Sequence, residues 1–325
     1  MSADDASGRI PATEPDLSVQ LGPLALSNPV MNASGTFGYG TEWPDLSATR
    51  AMGAIVTKTL TREPRPGNPP PRLHETPGGL LNSIGLQNIG VEAFLSDELP
   101  RLAALGPRVI VSVGGNTADS FASAIERLEA GGRTQIDAYE LNVSCPNVAR
   151  GGHAFGRCGE EAAAVVAGAR ARTRRPLFVK LSPNVTDISA IGRACLEAGA
   201  DGLTAVNTFL GLAVDIEREA PVFFRGGAGL SGPAIRPLAL HKVWELKRTL
   251  AAPLIGVGGI LTAHDAWSFL LTGAHAVQVG TGIMHDPARA AAVVAGLADL
   301  CRARGVTRLR EIIGRLQRPG AESQA

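Results

Sequence analysis

The feature that most limits how this chain can fold is a repeat of element type rather than of residues. Eight short apolar, β-branched runs recur along it, at 29–34, 53–59, 108–114, 137–144, 176–182, 202–208, 253–259 and 276–282. Helical stretches rich in Ala and Leu follow most of them, at 91–104, 117–130, 160–173, 187–198, 233–250, 262–272 and 287–303. The runs are apolar nearly throughout instead of alternating, which marks strands covered on both faces. Strand then helix, eight times in 325 residues, is the arithmetic of an α/β chain closed into a (β/α)8 TIM barrel. An open doubly wound sheet is the structural alternative. The expected organisation is a flexible segment over 1–17, one barrel over 18–315 and a polar tail over 316–325.

Three strand-to-helix connections are long: 60–90, 145–159 and 209–232. In a barrel all three emerge at the C-terminal ends of the strands, where active sites are built, and long loops in compact domains are usually functional. The first carries REPRPGNPPPR and then TPGGLLNSIGLQN, and is expected to form a lid or substrate wall.

The strand ends facing that mouth carry Asn32 and Ser34, Lys58 and Thr59, Asn116, Asn142 and Ser144, Lys180 and Ser182, and Asn207 and Thr208. A merely solvated rim would also show Asp, Glu and Arg. Amides, hydroxyls and lysine suit a neutral or anionic polar ligand. Lysine is scarce: of 31 Lys and Arg, only Lys58, Lys180, Lys242 and Lys247 are lysines. Two of the four sit at apolar strand ends. Each is either paired with a carboxylate of the barrel or placed as a compact charge, or amine nucleophile, against a ligand. Lys242 and Lys247, in HKVWELKRTL, read as solvated helix positions.

The last two runs end in GVGG (256–259) and VGTG (279–282). Glycine lets backbone N–H groups approach a ligand closely, and the loops after strands seven and eight of barrels often hold phosphate. No G-x-G-x-x-G stands in a first βα unit, which disfavours a Rossmann site. Of the cysteines, Cys195 and Cys301 fall in helical stretches and read as structural. Cys145 opens the loop after the fourth strand, in position to exchange a proton at the mouth. A phosphate-bearing cofactor, two strand-end lysines, a ring of Asn and a loop thiol point to a flavin enzyme. A Schiff-base lyase using Lys58 or Lys180 is the rival, and a non-catalytic phosphate-binding barrel a third reading.

Composition narrows the classes further. A formal net charge of +1 without a basic block argues against a nucleic-acid partner. An apolar fraction of 45% argues against disorder. No apolar run reaches the ~18 residues of a membrane helix, and the polar, acidic N-terminus lacks a signal-peptide pattern. A cytoplasmic location is expected. No cysteine spacing suits a metal or an iron–sulfur cluster.

The motifs NASGTFGYG (32–40), TKTLT (57–61), ETPGGLLNSIGLQNIG (75–90), ELNVSCPN (140–147), VKLSPN (179–184), AVNT (205–208), GLSGPAI (229–235), GVGGI (256–260) and VGTG (279–282) together resemble the dihydroorotate dehydrogenases over about residues 18–315. The resemblance implies an FMN-dependent barrel that oxidises dihydroorotate to orotate in pyrimidine biosynthesis. Cysteine at 145, where the membrane-bound class has serine, and the IGLQN and TKTLT forms look like the soluble NAD-linked type, class 1B. That type is a catalytic subunit, a homodimer joined in a heterotetramer to a partner carrying FAD and a 2Fe–2S cluster. The fumarate-linked class 1A and a dihydropyrimidine-oxidising relative are the near alternatives.

Carried over by motif, the resemblance implies that Cys145 is the base taking a proton from C5 while hydride leaves C6. Ser34, Lys58, Thr59, Asn116, Asn142, Lys180 and Val206 would line the flavin. Gly232, Gly258, Gly259, Gly280 and Thr281 would cradle its phosphate. Lys58, Asn82, Ser83, Ile84, Gly85, Leu86, Asn142, Asn207 and Thr208 would hold the substrate. Ser83 and Ile89 depart from the Ala and Pro expected of the loop. Cys158 is an additional thiol near Cys145 and reads as incidental.

Overall fold

The computed structural model describes residues 14–132, 134–144, 146–147 and 153–317, and side chains at 146–147 and 153–154 are left aside. Eight parallel strands close into a barrel in sequence order. They are β1 (Val30–Asn32), β2 (Ala54–Val56), β3 (Arg108–Val113), β4 (Ala138–Asn142), β5 (Leu177–Lys180), β6 (Gly202–Ala205), β7 (Leu254–Val257) and β8 (Ala276–Val279). The expected barrel is therefore the observed one, and the open sheet is excluded.

Successive side chains of a strand point to opposite faces, and here the two faces feed two cores. Tyr139, Leu141, Leu177, Val179, Leu203 and Val277 face outward into the layer shared with the helices. Ala138, Phe178, Ile255, Val257, Ala276 and Met31 face the axis. A hairpin of Val19–Leu21 and Leu24–Leu26 packs Leu21 and Leu24 against this inner set. Gly22 at its turn stands beside Pro253 and the Asp201 carbonyl, just ahead of β7 and β6, so the hairpin closes the N-terminal end of the barrel. The opposite end stays open for a site.

The helices begin where side chains can satisfy their unpaired N–H groups. Thr117 and Ser120 form a capping box at Ala118–Gly131, Thr262 and Asp265 another at Ala263–Thr272, and Asp187 accepts from the Ala190 N–H at Ile188–Glu197. The stretch expected as one helix over 91–104 is instead α-helical at Gly90–Ala93, π-helical at Phe94–Glu98 and α-helical again at Leu99–Ala103. Pro100 explains the break: its ring lacks an N–H and crowds the carbonyl four residues back, so the ladder widens by one residue. Among the described helices none is long and apolar enough to cross a membrane.

Two excursions read as loops are joined. Phe209–Gly211, Ala228–Ser231, Gly79–Asn82 and Leu73–Thr76 form a four-stranded antiparallel sheet over the barrel mouth. Leu81, Phe223 and Ala228 give it a small core of its own. The described chain is already tied to the barrel at Asp16, whose N–H donates to Thr307 O at 2.9 Å, two residues before the expected boundary at 18.

Candidate active site

One cavity of about 430 Å³ lies between the C-terminal ends of the strands and the four-stranded sheet. That volume is within the range of small-molecule pockets. From the expected flavin set it is lined by Ser34, Lys58, Thr59, Asn142, Lys180 and Val206. Gly232, Gly258, Gly259, Gly280 and Thr281 form one end of it. From the expected substrate set come Asn82, Ser83, Ile84, Gly85, Leu86, Asn207 and Thr208. Asn116 is the one described member that the lining does not include. Thr59 and Leu86 stand against Gly114, two residues ahead of it. Cys145 lies outside the described residues.

The polar groups of the floor are held by one another. Asn207 Nδ2 donates to Asn142 Oδ1 at 3.1 Å, and Asn142 Nδ2 donates to Thr59 Oγ1 at 3.3 Å. Thr59 Oγ1 continues the chain to Ser34 Oγ at 3.1 Å and to Ser112 Oγ at 3.0 Å. Asn207 Oδ1 accepts the Thr208 N–H at 2.8 Å. Both amides are thus oriented through oxygen and nitrogen alike, and each retains a second N–H and a second lone pair with which to meet a ligand. Asn82 is positioned by the sheet, donating to Gly229 O at 3.1 Å. Asn32, expected at the rim, is fully buried and stitches β1 to β2 through both the N–H and the carbonyl of Val56.

The structure bears out the pairing of Lys180 with a carboxylate of the barrel. The lysine side chain lines the cavity, yet it is 7% exposed and stands 3.8 Å from Glu140 Oε1. Its Nζ donates to Gln278 Oε1 at 3.1 Å. Lys242, expected as solvated, is half-buried and donates to Glu245 at 2.9 Å.

At the glycine end, Thr281 Oγ1 donates to Ser231 Oγ at 2.8 Å, bridging the segment after β8 to the mouth sheet. Gly259 has φ +69°, a region that disfavours every residue with a Cβ. A Cβ there would stand 2.7 Å from Arg236 Cβ and 2.8 Å from Gly232 O. The space beside these backbones is therefore kept open by the sequence, as an anion cradle requires.

Residues 16–300 match the family described as dihydroorotate dehydrogenase. The chain belongs to the dihydroorotate dehydrogenase family. It is 46% identical to the catalytic subunit of dihydroorotate dehydrogenase B (NAD(+)) from Geotalea daltonii, over 94% of this chain and 99% of that protein. It is 48% identical to the subunits of the same name from Trichlorobacter lovleyi, over 94% and 99% of the two chains, and from Desulforudis audaxviator, over 93% and 98%.

Some lining residues escaped the sequence reading. Arg65 and Arg225 face the cavity, but arginine is too common in this chain to stand out. Asn68 also lines it and donates to Ser83 O at 3.1 Å, while Arg72 Nε donates to Asn68 O at 2.6 Å. The Pro-rich segment thus braces the 82–86 wall. Its signal was there in RPGNPPPR, as a stiff piece with one amide in it.

Proposed function

We propose that this chain is the catalytic subunit of an NAD-linked, class 1B dihydroorotate dehydrogenase, a single FMN-binding barrel over residues 18–315 that works in the cytoplasm. The reaction is the oxidation of dihydroorotate to orotate in pyrimidine biosynthesis. The observation that carries this reading is one cavity with two chemistries. A glycine cradle, a set of amides and the two strand-end lysines, Lys58 and Lys180, line the same space.

The residues present fit FMN. Gly258, Gly259, Gly280 and Thr281, with Gly232 opposite, leave room and N–H donors for its phosphate. Ser34, Thr59, Asn142 and Val206 line the ring, and Lys180 places a positive charge at its edge. Bound FMN supplies the two-electron acceptor of the oxidation. Asn82, Asn142, Asn207 and Thr208 hold the amides and carboxylate of the substrate, and Lys58 faces both ligands. Cys145, on the strength of its motif, takes the proton from C5. The narrow, fixed amide set supports selection of a planar cyclic ligand with alternating donors and acceptors.

Electrons leave for NAD through a partner subunit carrying FAD and a 2Fe–2S cluster, and two catalytic subunits pair within a heterotetramer. Exposed apolar side chains support a protein partner on the 209–226 excursion. Leu210, Leu212, Val214, Ile216 and Phe224 are between 57% and 79% exposed there, more than a free surface usually concentrates.

The test is optical. The purified chain is expected to be yellow and to bleach with dihydroorotate, and to reduce NAD only when the iron–sulfur partner is added. Cys145→Ala should keep its flavin and lose most of the bleaching rate. Unchanged bleaching in that variant removes the base assignment. Rapid turnover with fumarate alone moves the chain to class 1A. A colourless protein whose substrate is trapped by borohydride overturns the flavin reading.

A further inference from the structure

Beneath the cavity floor lies a buried polar cluster drawn from four strands. Glu140 on β4 is 1% exposed, in an interior where an uncompensated carboxylate is very costly. Its Oε2 accepts from Gln278 Nε2 at 2.6 Å and from Thr204 Oγ1 at 2.9 Å. Its Oε1 accepts no hydrogen bond from any described residue and faces Lys180 Nζ at 3.8 Å. Gln278 completes a ring: its carbonyl takes a Lys180 N–H at 3.1 Å while its amide N–H goes to Glu140. The orientation of that amide is dictated by its neighbours, since its oxygen must face an ammonium and its NH2 a carboxylate.

Strand parity explains why these groups meet. Ala138, Glu140 and Asn142 share the inward face of β4, and Lys180 pairs in register with Asn142 and with Thr204. Asn142 and Lys180 therefore form the floor of the cavity, and Glu140, Thr204 and Gln278 the layer below it. None of the three lower groups lines the cavity. Each acts on a ligand only through Lys180.

We propose that Glu140, supported by Gln278 and Thr204, is the positioning residue for Lys180: it supplies the buried counter-charge that holds the ammonium in place and aimed at the ligand. This rests on the flavin reading given above. Removing the carboxylate leaves the buried ammonium with the neutral Gln278 carbonyl alone, and a buried charge without its counter-charge is costly enough to move the side chain. Asn142, Gln278 and Thr204 are neutral and cannot replace that charge. With the pair intact, one Nζ donor goes down to Gln278 and the Glu140 carboxylate stands below, which leaves donor capacity for the cavity side. An electron-rich ring edge, richer still when reduced, is what that remaining donor favours.

The measurement is the ratio of FMN affinities in the reduced and oxidised states, taken from midpoint potentials of the purified chain and from direct binding of oxidised FMN. It needs no turnover. Lys180→Met is expected to lower the preference for reduced FMN by at least tenfold. Glu140→Gln, nearly isosteric but uncharged, is expected to lower it in the same direction by about as much. In the Lys180→Met background, Glu140→Gln should then change nothing further. An unchanged ratio in Glu140→Gln overturns the proposal, even if its thermal stability falls. So does a change of opposite sign, or an equal change in the Lys180→Met background, since either means that Glu140 acts without the lysine. If Glu140→Gln does not fold, Glu140→Asp serves: it keeps the charge but withdraws it, and should shift the ratio the same way by a smaller factor, whereas no shift overturns the proposal. Wild-type protein that takes up no FMN overturns both this inference and the flavin reading. Wild-type uptake with a response to Lys180→Met alone overturns only the role of Glu140.

Discussion

Gly259→Ala is the substitution whose cost is easiest to build from the structure. The residue holds φ +69°, where alanine is disfavoured by roughly 1–2 kcal/mol. The new methyl also arrives 2.7 Å from Arg236 Cβ, 2.8 Å from Gly232 O and 3.1 Å from the Arg236 N. None of those three atoms can move away by a side-chain rotation. Relief requires the segment from Gly232 to the start of the helix Arg236–Thr249 to move outward, against the ion pair that ties Arg236 to Asp265. Overpacking of this kind costs about 1–3 kcal/mol. The total corresponds to a fall in Tm of roughly 3–8 °C for a domain of this size. The same displacement spreads the two backbones proposed to hold the FMN phosphate, and at about 1.4 kcal/mol per decade it should weaken FMN binding tenfold or more. Gly305→Ala is the control. Gly305 has φ +65° at the C-terminus of the helix Arg289–Arg304, and a Cβ there would meet nothing within 4 Å. It should cost about 1 kcal/mol and leave flavin content unchanged. Thermal melts and flavin absorbance per chain read both. If Gly259→Ala loses no more stability than Gly305→Ala and purifies with full flavin, the cradle is not where we place it.

Two further outcomes follow from the floor and from the core. Asn207→Ala removes a donor to Asn142 and the acceptor of the Thr208 N–H, so buried partners lose about 1–3 kcal/mol of hydrogen bonding. The KM for dihydroorotate should rise about 10- to 100-fold with FMN content intact, and an unchanged KM removes Asn207 from the substrate set. His275 is held below its ordinary pKa by burial, with the Lys247 charge adding to the effect, and its Nδ1 accepts the Leu254 N–H at 3.2 Å. The unfolded chain therefore binds a proton below about pH 6.5 that the folded chain refuses. The stability from neutral His275 is whole above that pH and is lost as the pH falls below it, by up to about 1.4 kcal/mol per unit. Tm should drop more steeply from pH 7 to pH 5 in the wild type than in His275→Gln, and parallel curves would refute the assignment.

How much of this was legible in the sequence depends on the distance over which each feature is encoded. The barrel was legible because each strand declares itself locally, as an apolar run bounded by a helical stretch. The polar strand ends were legible for the same reason. The four-stranded sheet was not, because Asn82 and Gly229 are joined across 147 positions and neither segment alone buries enough surface to read as a strand. The 91–104 stretch reads as one helix because Ala and Leu run on both sides of Pro100, and the widened turn shows only in the backbone. Cys195 and Cys301 were read correctly as buried, since helical spacing places them on the core side.

Glu140 is the instructive case, because its signal was present and local. Parity along ELN puts Glu140 on the same side of β4 as Asn142, so an inward Asn implies an inward Glu two residues below it. A carboxylate inside a barrel must find a cation or several donors. Lys58 and Lys180 are the only lysines at strand ends in this chain. Lys180 lies on the strand next to β4, whereas Lys58 follows β2, with β3 between them. The partner of Glu140 could thus be deduced as Lys180 before any coordinate was seen. What the sequence could not supply was the pair of neutral groups that completes the cluster. Gln278 lies 138 positions away and Thr204 lies 64, and only closure of β8 and β6 around the axis brings them to the carboxylate.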